Sequence, residues 1–184
     1  MSAPRAPRTP DELERGASEI CSTWIAAAEL VHVAETTFPM TGRSLEQEAV
    51  ITALVVHYRC LVNFVSGGYG GKWHPNDVCP EDFLGRPWWT ADEDVDRVMR
   101  GRLRILNTEV QHVSWERLQD RMTLWPFGYL IREVNAALCE FTDLLESQRL
   151  PGAAEFVRAR SVTHSLLPRK VFAAISYVEP AGPR

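Results

Sequence analysis

Apolar residues recur at three- and four-residue spacing along four long stretches of the chain, and this period constrains the fold more than any other feature. At about 100° per residue such a pattern lines one face of an α-helix, and that face must be buried against another element. In the first stretch Ile20, Trp24, Ala27, Val31, Ala34 and Phe38 form the stripe. Its start is marked by Thr9-Pro10-Asp11-Glu12, a threonine cap, a proline at the first helical position and acids in the first turn. Pro39 and Gly42 end it near Phe38.

Ser44-Leu45-Glu46-Gln47 is a capping-box pattern for a second helix, whose apolar face is Ile51, Leu54, Val55, Tyr58, Leu61, Val62 and Val65. Four glycines within Gly67–Gly71 make further helix costly, so the chain is expected to hinge there. The run Gly67 to Lys72 lacks the Gly-Lys-Ser/Thr ending of a phosphate loop and follows a helix, not a strand. Lys72 to Thr90 reads as a long ordered loop, because its aromatics and prolines favour packing onto the helices. Trp88 and Trp89 within it could stack on a base, but tryptophans beside a proline more often bury area.

Thr90-Ala91-Asp92-Glu93 predicts the start of a third helix with the seam Val95, Met99, Leu103, Leu106, Val110 and Val113, extending toward Met122. The fourth follows Leu124-Trp125-Pro126, with Phe127, Leu130, Ile131, Val134, Leu138, Phe141 and Leu145 inward and Pro151-Gly152 as its stop. Beyond it lie a short helical candidate, Ala153 to Ser161, and Val171 to Val178, where periodicity does not separate strand from extended chain. The expected fold is all-α: an antiparallel four-helix bundle with a long ordered loop between helices 2 and 3 and a short C-terminal extension. The expected organisation is a flexible arm over 1–10, a bundle over 11–150 and an extension over 151–184.

With 184 residues, 45% of them hydrophobic, one domain can bury a sizeable core. A net charge of -4 supplies no broad basic field for a nucleic acid backbone, so any such contact must be local. No apolar h-region follows Arg5 and Arg8, and no run approaches the roughly 18 apolar residues of a membrane span. Cys21, Cys60, Cys79 and Cys139 are widely spaced and fit reduced thiols. A cytoplasmic protein is expected.

Polar side chains in helical register single out the candidate site. Arg59 and Asn63 are four residues apart and point the same way. Arg117 and Arg121 continue the third seam where leucines would be ordinary. A buried guanidinium needs an anion or several acceptors. Asp77, Asp82, Glu116 and Asp120 could supply that charge, in which case the arginines tie the loop to the helices. Alternatively Arg59, Asn63, Arg117, Asp77 and Asp82 belong to a ligand site that holds a phosphate or carboxylate through charge-assisted contacts. His112, flanked by Glu109 and Glu116, has the proton affinity for acid or base chemistry near neutral pH.

The stretch Arg104-Ile105-Leu106-Asn107-Thr108-Glu109-Val110-Gln111-His112 resembles the HEPN superfamily of bacterial helical bundles, whose members usually place four to six residues between an arginine and a histidine. Here there are seven, and Asn107 stands where an arginine would restore the shorter spacing. The resemblance spans about residues 11–147. It implies a homodimer with a cleft near His112, where Arg104, Asn107 and His112 would cleave RNA without metal or cofactor, in a stress, toxin–antitoxin or defence setting. RNA or a nucleotide would be the ligand. The competing class is a non-enzymatic protein-interaction or structural module whose polar residues fix helix register. A third comparison is with DinB-like metal bundles, since His32, His57 and His112 come from three helices, although His32 and His57 lie off the apolar stripes.

Overall fold

A computed structural model of the chain describes residues 6–37, 45–66, 76–88 and 127–167. The first helix, α1 (Pro10–Thr37), begins where its capping signals put it. The Thr9 amide donates to Glu12 Oε2 at 2.8 Å and the Glu12 amide donates to Thr9 Oγ1 at 3.3 Å, closing a reciprocal capping box. The second, α2 (Leu45–Val65), turns Leu54, Val55, Tyr58, Leu61, Val62 and Val65 inward, all at most 2% exposed. Ile51, expected on the same face, is 38% exposed.

Within the expected loop, residues 76–88 hold a short helix, α3 (Pro80–Leu84). It presents Phe83 to the core, and Trp88 is buried just beyond it. The fourth helix, α4 (Phe127–Gln148), buries Ile131, Val134, Leu138, Phe141 and Leu145 as their spacing requires. Buried Thr142 donates its hydroxyl to the Leu138 carbonyl at 2.6 Å, so it costs the apolar interior little. Arg149 and Gly152 both take positive φ, and the chain reverses within four residues.

It re-enters as α5 (Ala153–Leu166), five residues longer than its apolar pattern suggested. Phe156, Ala159 and Thr163 are its buried face, so this segment supplies a wall of the core. Helix α1 packs chiefly against α5 and α2, and α4 packs against α5, α2 and, less extensively, α1. Arg160 of α5 donates to Asp143 at 2.5 Å and Glu146 at 3.3 Å on α4, an exposed pair of contacts that adds little beyond the burial.

The interior is held by aromatic rings from four elements. Phe141 lies with its ring centroid 5.3 Å from Phe64, 5.2 Å from Phe156, 5.2 Å from Trp88 and 6.0 Å from Phe83. These are edge-on arrangements, the favourable geometry for ring quadrupoles. All regular structure among the described residues is helical. None of these helices is long and apolar enough to cross a membrane.

Candidate functional site

Because the inward stripe of α2 is sealed, its opposite side faces outward, and that side is unusually apolar. Leu45, Ala49, Thr52 and Val56 recur there at spacings of four, three and four residues, all exposed. Leu45 is 84% exposed and Val56 is 49% exposed. Cys60 lies exposed at the edge of this face. Arg59 and Asn63 continue it, both half-buried, in the shared direction their spacing demands.

The expected acids sit elsewhere. Asp82 caps α3: its Oδ2 accepts from the Cys79 amide at 3.1 Å and from the Cys79 thiol at 3.2 Å. The cation beside it is Arg8, whose Nε lies 3.8 Å from Asp82 Oδ1, while another Arg8 nitrogen lies 3.8 Å from Glu12. Asp77 is exposed close by, and Arg8, Glu12, Arg15, Asn76, Asp77 and Asp82 help to line an open groove of about 320 Å³. With Glu19 it carries four carboxylates against two guanidinium groups, which partly neutralise one another. Such a lining does not concentrate a phosphate, and its Arg8 contacts fasten the start of α1 to α3.

A third arrangement joins α1, α4 and α5. Trp24 donates its indole N–H to Asn135 Oδ1 at 3.1 Å, and Asn135 Nδ2 lies 3.8 Å from Cys139 Sγ. Cys139 Sγ is in turn 3.6 Å from His164 Nε2. A thiol beside an imidazole resembles a nucleophile with its base, but burial pushes the Cys139 thiol up, Arg160 draws it down and Asp143 pushes it up again, with a net rise. The protonated thiol is therefore the favoured form, and a nucleophile requires the thiolate. The relay ties three helices together, and burial of its thiol favours the protonated form. The sequence marked Cys139 only as a reduced thiol and gave no signal for His164, because only the tertiary fold joins positions 25 residues apart.

His32 is exposed on α1 and His57 is half-buried on α2. No group of three or more potential metal ligands occurs among the described residues. Arg104, Asn107, His112 and Arg117 lie outside the described residues, as do the expected glycine-rich hinge and the expected third helix. No protein-family model, curated protein or solved structure matches the chain.

Proposed function

We propose that the chain is an antiparallel four-helix bundle that works as a non-enzymatic protein-interaction module, receiving an amphipathic helix along the outer face of α2. One observation carries the reading: Leu45 and Val56, the most exposed large apolar side chains described, stand in line with the small exposed residues Ala49 and Thr52 on a helix whose other side is already buried. Exposed strips of this kind mark interaction surfaces more often than isolated apolar residues do. A helical bundle is supported by the packing of α1, α2, α4 and α5, each against at least two of the others, with α5, expected in the C-terminal extension, packed into the core and the expected third helix outside the described residues. The raised Cys139 thiol also weighs against nucleophilic chemistry at the described Cys–His contact.

The combined substitution Leu45→Glu, Val56→Glu tests whether the strip is open. At high dilution, where any complex dissociates, its folding stability should stay within about 0.5 kcal/mol of the wild type, the usual effect of a surface change. Chemical denaturation measures this. A loss of several kcal/mol would mean that the chain covers the strip with its own residues, and the reading would fail.

The resemblance noted in the sequence supplies a second reading, RNA or nucleotide binding with metal-independent cleavage. The shared outward direction of Arg59 and Asn63 on α2 favours it. Incubation with mixed RNA in chelator should then give products that the His112→Ala variant does not form. Equal absence of cleavage in both proteins would defeat the enzymatic form of this reading.

A further inference from the structure

Resting on the reading of the outer face of α2 as a contact surface, we infer that its occupant is α2 of a second copy of this chain, the two helices running antiparallel about a two-fold axis beside Thr52. The spacing of Leu45, Ala49, Thr52 and Val56 is that of a helix-pairing seam, in which residues three and four apart meet one partner helix. A two-fold interface must also complement itself. With the axis between Thr52 and Ala53, Val56 of one copy falls opposite Ala49 of the other, and Leu45 falls opposite Cys60. Large side chains thus meet small ones on both sides of the centre, and Thr52 and Ala53 leave the backbones free to approach there.

Charge selects the direction. Exposed Glu46 lies at the start of α2, while Arg59 lies toward its end. Antiparallel pairing sets the acidic end of each helix beside the basic end of the other and opposes the two helix dipoles. Parallel pairing would place like charges together. The helix is also apolar around most of its circumference, a composition typical of helices covered on more than one side.

The full chain should sediment as a dimer at micromolar concentration, and Val56→Glu should weaken association by about 100-fold or more through a charge set into an apolar seam. Glu46→Arg and Arg59→Glu should each weaken it, and together they should restore part of the loss. A short bismaleimide should join copies of a Thr52→Cys, Cys60→Ser protein. It should not join wild-type copies through Cys60, which antiparallel pairing holds roughly 22 Å apart along the helices at 1.5 Å per residue.

A chain that stays monomeric at all concentrations overturns the inference, as does a dimer indifferent to Val56→Glu. Efficient Cys60 crosslinking with a silent Thr52→Cys protein would replace it with parallel pairing. If the Leu45→Glu, Val56→Glu protein keeps its stability while the wild type is monomeric, only self-pairing falls and the face belongs to another partner. Collapse of that variant at high dilution would remove the contact surface itself.

Discussion

Phe141→Ala should destabilise the protein by about 3–5 kcal/mol, the range for truncating a fully buried aromatic side chain. Phe141 is 0% exposed and is the ring on which Phe64 of α2, Trp88 and Phe83 beside and within α3, and Phe156 of α5 all converge. Removing it leaves a cavity that α2, α3 and α5 would have to fill. The neighbours can close that space only by giving up their edge-on geometry, itself worth roughly 0.5–1.5 kcal/mol per pair beyond buried area. For a chain of this size the melting temperature should fall by on the order of 10 °C. Phe141→Leu retains most of the volume and should cost far less. Thermal and urea unfolding of the two variants check this, and a Phe141→Ala loss below about 1 kcal/mol would show that the rings do not form a common core.

Gly152→Ala should be nearly as damaging, for a different reason. Gly152 precedes α5 with φ of 80°, a backbone conformation that costs an L-residue about 1–2 kcal/mol. A Cβ there would also stand 2.8 Å from Ala17 Cβ on α1 and 3.3 Å from the Phe83 ring. Ala17 Cβ is fixed to its backbone, so relief requires α1 and the α4–α5 turn to separate. Overpacking of this kind adds about 1–3 kcal/mol. Ala17→Gly opens the space at a helix-propensity cost of about 1 kcal/mol. In the double variant the steric part should vanish while the backbone strain remains, so the two substitutions together should cost less than the sum of each alone. Strict additivity in a denaturation cycle would show that the two residues are not in contact.

The three long described helices were legible in the sequence because each combines a regular apolar period with a marked boundary. Thr9 and Pro10 open α1, Ser44 precedes α2, and Pro126 and Pro151 bracket α4. Helix α3 escaped notice because five residues are too few to display a period, and its N-cap is a cysteine, an uncommon cap. Asp82 was recognised as important, either tying the loop to the helices through an arginine or belonging to a ligand site; that its cation is Arg8, not Arg59 or Arg117, depends on a fold contact with α1's start, while its closing of α3 is local. The end of α5 was read too early because its buried face there is Ala159 and Thr163, which a search for large apolar residues passes over.

The outer face of α2 was partly visible. Arg59 and Asn63 were placed together correctly by helical geometry, whereas Leu45, Ala49 and Val56 were left unused because attention to one stripe hides a second on the same helix. Propensity and period say which side chains share a direction. They do not say which of two apolar sides meets the core.

The tight approach of Gly152 to Ala17 brings together parts of the polypeptide made early and late in synthesis. The α1 side of the interior therefore closes fully only after α5 has been made. Until Phe156 and Ala159 have cleared the ribosomal tunnel, Trp24 and its neighbours lack the wall that shields them. During that interval the apolar faces of the emerging segments stay uncovered, and stop codons placed before residue 153 should yield species prone to aggregation.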